Sequence, residues 1–174
     1  MSRFTFLTIA LFLAALSTTS AFKLVNTIIG RYVGAYEDPN VSKLYWGIGK
    51  LDEDYTDMTA KRQSTGGFSY VERKTGRTMC RSDRWIKFLP NAEGTKDCIW
   101  TLKDDRGCAR LKLRDENLYL GMGYTDNIDG WRTGTWLFLN DFVHQCYRII
   151  STEDLPDYEA ADINIFQLLG RKED

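Results

Sequence analysis

Short runs of three to seven mostly apolar and aromatic residues, each ended by Gly, Asn, Asp, Ser or Pro, most constrain what this chain can fold into. They include Trp85–Leu89, Ile99–Leu102, Leu111–Leu113, Leu118–Gly123, Trp136–Leu139, Cys146–Ile150 and Ile163–Leu169. No stretch sustains a 3.6-residue period over three turns, so long amphipathic helices are excluded. Runs of this length with this punctuation read as β-strands and turns. Aromatic and β-branched residues suit a pleated, half-buried surface. The expected class is all-β, a barrel or sandwich. Phe138–His144 is expected to form one helical turn, and the acidic stretch 154–162 a loop.

The first residues read differently. Met1-Ser2-Arg3 is a positive start, Phe4–Leu16 is apolar, and Ser17–Ala21 is small, with Thr19 and Ala21 at the −3 and −1 places of a cleavage site. This layout predicts a secretory signal peptide over residues 1–21 and a secreted, extracellular domain over 22–174. The apolar run is too short for the roughly 20 residues of a spanning helix, and no transmembrane segment follows.

An oxidising compartment changes how the four cysteines read. Cys80, Cys98, Cys108 and Cys146 lack C-x-x-C spacing, and one His is too few for a mixed metal site, so neither metal nor cofactor is expected. Four cysteines allow three pairings. Cys98 and Cys108 flank the turn signal Lys103–Gly107, which favours Cys98–Cys108 and leaves Cys80–Cys146. Asn40-Val41-Ser42 is an N-glycosylation sequon in a polar loop.

The formal net charge of −1 gives no global cationic field, which argues against nucleic acid as a partner. The charge is nevertheless segregated: residues 61–114 carry +8 and residues 115–174 carry −8. Arg73, Lys74, Arg77, Arg81, Arg84 and Lys87 form a candidate site for sulfated glycan, phosphate or an acidic surface. The competing reading is that the basic half faces the acidic half within one fold. Leu44–Gly49 resembles Leu118–Gly123, and Trp85–Pro90 and Ile163–Leu169 share a strand-then-turn pattern. Spacings near 40 residues in an all-β chain suggest three four-strand units, which is a β-trefoil: a six-stranded barrel with a hairpin cap.

Thr78-Met79-Cys80, Trp85–Asn91, Ile99–Leu102, Arg110–Leu113, Asn117–Met122, Trp136–Leu139 and Tyr147 occur in an order that resembles the core of a fibroblast growth factor. The similarity covers 79–150, with Leu118-Tyr119-Leu120-Gly121-Met122 its most specific piece. It implies a β-trefoil signalling ligand for a cell-surface receptor of the growth-factor receptor tyrosine kinase type, with heparan sulfate as co-ligand. It also implies receptor contacts at Tyr147, Leu118 and Tyr119. The family's second core Cys falls at Trp136, and the chain ends before the family's basic loop and last two strands. Residues 22–70 have no counterpart, and part of them, around Tyr45 or Phe68–Val71, is expected to fill that gap.

Catalysis finds little support. The single His144 lies by an apolar run, and G-x-S-x-G, H-E-x-x-H and P-loop motifs are all missing. A binding protein, not an enzyme, is expected. The alternatives are a trefoil inhibitor or lectin, though Gln-x-Trp does not occur, and an eight-stranded lipocalin-like carrier, whose early motif would be Gly30-Arg31-Tyr32.

Overall fold

The computed structural model describes residues 21–51, 53–105, 108–125, 134–140 and 145–152. They form twelve strands: β1 (Phe22–Asn26), β2 (Tyr32–Glu37), β3 (Tyr45–Lys50), β4 (Met58–Arg62), β5 (Phe68–Glu72), β6 (Arg77–Ser82), β7 (Trp85–Leu89), β8 (Trp100–Asp105), β9 (Cys108–Leu113), β10 (Tyr119–Thr125), β11 (Gly134–Asn140) and β12 (Tyr147–Ser151). A 3₁₀ turn, Lys96–Cys98, precedes β8.

The pairings close a ring. β1 pairs β4, β4 pairs β5, β5 pairs β8, β8 pairs β9, β9 pairs β12, and β12 returns to β1. These six strands are the barrel. The other six form hairpins β2–β3, β6–β7 and β10–β11, whose second strands meet pairwise: β3 with β7, β7 with β11, and β11 with β3. A six-stranded barrel capped by a triangle of hairpins is the β-trefoil, and it replaces the lipocalin-like alternative. Ring closure also removes the unpaired edges that an open sheet would expose.

Alternation places the side chains. In β9, Ala109, Leu111 and Leu113 point inward while Arg110 and Lys112 point out. In β7, Ile86 and Phe88 are buried while Trp85, Lys87 and Leu89 are half-buried on the other face. The core joins barrel residues such as Phe22, Leu24, Met58, Tyr70 and Leu111 to cap residues Ile86, Phe88, Leu120 and Leu137. Each such side chain, fully buried, contributes about 1.5–3 kcal/mol.

One turn design recurs. The Asn26 Oδ1 accepts the N–H groups of Ile28 and Ile29, and Gly30 follows at φ +70°. The buried Glu72 carboxylate accepts the N–H groups of Lys74 and Thr75 and the Thr75 hydroxyl, and Gly76 follows at φ +66°. Each polar side chain folds the chain back from a barrel strand into a hairpin, and the glycine takes the left-handed position.

Several sequence expectations change. The disulfides are Cys80–Cys98 and Cys108–Cys146, not Cys98–Cys108 and Cys80–Cys146. In the β8–β9 hairpin Cys108 lies opposite Asp105, whereas Cys98 precedes the strand at its other end. Seven residues of extended chain separate those ends by about 20 Å. Cys98 instead meets Cys80 where its 3₁₀ turn packs on β6.

Residues 22–70 complete the trefoil as expected, with Tyr45–Lys50 in the cap and Phe68–Glu72 in the barrel, but they do so as its opening strands. β1–β4 are the first of three units, followed by β5–β8 and β9–β12, so twelve strands are complete by Ser151. The growth-factor register, which begins a unit at Met79, starts inside the second one. Phe138–Asn140 is strand, not a helical turn. The rest of that turn (141–144), residues 1–20, and the expected loop and strand over 154–169 lie outside the described residues. Among the described residues no helix is long and apolar enough to cross a membrane.

Candidate functional site

The three cap strands define equivalent positions. Trp46 of β3 faces Lys87 of β7, Trp85 of β7 faces Phe138 of β11, and Trp136 of β11 faces Ile48 of β3. Each unit therefore carries a Trp at the same place in the pairing; Trp46 and Trp85 are half-buried there and Trp136 is buried. The positions just after them, Gly47, Ile86 and Leu137, point inward and meet at the pseudo-threefold axis. A Cβ on Gly47 would stand 2.8 Å from Ile86 and 3.0 Å from Leu137, so the third place is left empty for the other two. Gly121 of β10 is required by a different neighbour, the Phe138 ring. The Leu-Tyr-x-Gly-x-Gly match thus joined β3 to the non-equivalent β10. The structural repeat runs through the tryptophans.

The three Trp pairs differ in chemistry. Two have apolar partners, and the Trp46 pair has a cation. The Lys87 Nζ lies 4.4 Å from the Trp46 ring centroid, and the Arg84 guanidinium lies 5.0 Å from that of Trp85. Neither cation makes an ion pair with a described residue. Trp46 is held from the other sides. It packs edge-to-face on Trp136 at 6.1 Å, and its indole N–H donates to Asp38 Oδ2 at 3.1 Å. Asp38 Oδ1 accepts the backbone N–H groups of Asn40 and Val41. Burial pushes the Asp38 carboxyl up, but these three donors outweigh it and hold it below its ordinary value. The same loop forms an open depression lined by Glu37, Asp38, Pro39, Asn40 and Ser42. The Trp136 indole N–H is buried with no acceptor among the described residues.

The six basic residues named from sequence do not form one patch. Lys74 pairs Asp54 at 2.7 Å and lies over the Tyr55 ring. Arg81 is held between Asp97 and Glu116. Arg73 is exposed, with its N–H bonded to the Asp57 carbonyl. Arg77 stacks over Tyr45. Only Arg84 and Lys87 reach the outer cap face. What sequence reasoning missed was the three-unit spacing of Trp46, Trp85 and Trp136; the W-x-aliphatic, aromatic or Lys pattern at each was the available signal.

Two of the three receptor contacts read from the growth-factor resemblance are not on the surface, and the third, Leu118, is half-buried. Tyr147 is fully buried and its hydroxyl donates to the Leu120 carbonyl. Tyr119 is buried, and Leu118 packs against the core. A buried side chain cannot touch a receptor; Tyr147 sits in the barrel core and Tyr119 is buried in the cap strand β10, so neither offers the expected contact. Gln145 explains part of this. It accepts from Asn26 and the Met122 N–H and donates to the Met122 carbonyl, tying β10 to the first turn. Asn40 and Ser42 are exposed. His144 lies outside the described residues.

No protein-family description and no curated protein matches this sequence. Solved structures do match its shape. Cry35Ab1 is similar with a TM-score of 0.61 and 14% identity over 82% of this chain, which spans 39% of that protein. The designed three-fold symmetric protein ThreeFoil is similar with a TM-score of 0.55 and 17% identity, covering 74% of this chain and 96% of its own. The ricin B-like lectin of Macrolepiota procera, in complex with lactose, has a TM-score of 0.54 and 14% identity, covering 77% of this chain and 96% of its own. These likenesses establish the β-trefoil fold. None supports membership of the fibroblast growth factors.

Proposed function

We propose that this chain is a secreted β-trefoil binding protein of lectin type, without catalytic activity, that recognises a saccharide on the outer face of its hairpin cap. The observation that carries this reading is the pair of half-buried tryptophans, Trp46 and Trp85, at equivalent places on the cap, with the third, Trp136, buried against Trp46. Indole faces bind the C–H faces of sugar rings, and a rigid cap fixes them before the ligand arrives. The shape likeness to a lactose-bound lectin supports the ligand class. Two disulfides support an oxidising destination. Asn40 is the expected glycosylation site on the adjoining loop, and a mass decrease on glycosidase treatment of the secreted chain tests it.

A glycan array probed with the purified protein tests the main reading. Binding to a defined saccharide set is expected, with loss in Trp85→Ala, chosen because Trp46 is held by Asp38 and Trp136 and Trp136 is buried. An empty array, or binding unchanged in that variant, refutes it. Receptor signalling with heparan sulfate as co-ligand, the finer growth-factor reading, has lost its named contact and is tested by receptor-ectodomain pull-down.

A further inference from the structure

The saccharide-binding cap is not threefold in its chemistry, and the difference specifies the ligand. We infer that the Trp46–Lys87 corner, extended by Trp85 and Arg84, binds an acidic sugar carrying a sulfate ester or a carboxylate. This inference rests on the binding reading given above.

At two of three equivalent pairs a Trp faces an apolar side chain, Phe138 or Ile48; at the third it faces Lys87. Trp85 and Lys87 lie two apart on the same face of β7, about 6.6 Å along the strand, so the two ring–cation pairs are contiguous. Each cation lies over the face of its indole, at 4.4 Å for Lys87 and 5.0 Å for Arg84. A neutral sugar stacking there would displace a cation and gain nothing from its charge. An acidic sugar can set its anionic group on the cation and its apolar face beside the ring, so both halves of each pair are used.

The rest of the basic run gives the contrast. Arg81 and Lys74 are neutralised by Asp97, Glu116 and Asp54, while Lys87 and Arg84 have no carboxylate partner among the described residues. Trp46 is also fixed as a site residue would be, by Asp38 on its N–H and Trp136 on its edge.

The experiment is calorimetric titration of the full secreted chain with lactose, 3′-sulfolactose, 3′-sialyllactose and inorganic sulfate, repeated with Lys87→Gln and Arg84→Gln. At least one acidic sugar should bind about tenfold or more tightly than lactose. Which of the two binds identifies the anion. Lys87→Gln should erase that difference with its melting temperature unchanged, and added salt should weaken the acidic sugar more than lactose. Equal affinity for lactose and both acidic sugars, unaltered by Lys87→Gln, overturns the anionic inference while leaving saccharide binding standing. Inorganic sulfate binding as tightly as sulfolactose overturns it too, because the sugar then contributes nothing. Failure of all three sugars overturns this inference, and the reading it rests on falls with it when the glycan array is also empty.

Discussion

Gly47→Ala is a sharp test of the cap geometry. The added methyl would meet Ile86 Cγ2 at 2.8 Å, Ile86 Cβ at 2.9 Å and Leu137 Cδ1 at 3.0 Å. Ordinary carbon contacts sit at about 3.5–4.0 Å, so the shortfall is about 0.5–1 Å against two neighbours at once. Both neighbours are buried, at 0% and 1% exposure, and lie in paired strands, so neither has open space to move into. Overpacking of this kind costs about 1–3 kcal/mol. For a domain of this size that corresponds to a melting temperature about 3–10 °C lower.

The assay is a double-mutant cycle by denaturant unfolding under oxidising conditions. Ile86→Ala alone should cost about 2–5 kcal/mol through its cavity. In the pair, the methyl introduced by Gly47→Ala partly fills the space that Ile86 leaves. The combined loss should therefore fall short of the sum by more than about 0.5 kcal/mol. A neutral Gly47→Ala, or strict additivity, would mean that Gly47, Ile86 and Leu137 do not meet at one axis.

Other expectations follow from buried polar groups. Tyr70 is fully buried, its hydroxyl has no acceptor among the described residues, and burial pushes its pKa up. Tyr70→Phe should therefore be neutral or stabilising by about 1 kcal/mol; a loss above that would reveal a hidden partner. Asp38→Asn should destabilise the Trp46 loop. Because the Asp38 carboxyl is held below its ordinary value, its contribution is present at neutral pH and is lost as pH falls through the folded value. The stability gap between wild type and variant should thus be flat down to about pH 5 and close below about pH 4; a gap that closes between about pH 7 and 6 would point to another group. Non-reducing peptide mapping should find Cys80 linked to Cys98 and Cys108 to Cys146; a Cys98–Cys108 peptide would contradict the β8–β9 register.

Much of the fold was readable because period-two alternation is local. Trp85–Leu89, Ile99–Leu102 and Leu111–Leu113 announced strands from their own residues, and spacings near 40 residues announced three units. Registration of those units was not local. Leu44–Gly49 and Leu118–Gly123 look alike because each needs glycine beneath a bulky neighbour, but the neighbours differ: Ile86 and Leu137 for Gly47, Phe138 for Gly121. Only the cross-strand pairings separate the two cases. The cysteine pairing failed for a related reason: a hairpin does join the segments between Cys98 and Cys108, but its first strand begins after Cys98.

The candidate site was half visible. Arg84 and Lys87 stood out by charge, but charge density along the sequence could not show that Arg81 and Lys74 spend theirs on Asp97, Glu116 and Asp54. Tyr147 was carried over from a resemblance whose register was displaced, and its place in the barrel follows from β12 pairing with β1 and β9.

The central claim is that the Trp46–Lys87 corner of the cap is a ligand-binding surface. Its most direct measurement is the indole N–H spectrum of ¹⁵N-tryptophan-labelled protein during titration with a short acidic saccharide, the signals assigned by substitution. The account predicts saturable shifts of the Trp46 and Trp85 signals. Trp100, fully buried with its N–H bonded to the Met79 carbonyl, should stay fixed as the internal reference. Saturable shifts confined to other tryptophans, or no shift at Trp46 at a saccharide concentration that saturates binding, would contradict it.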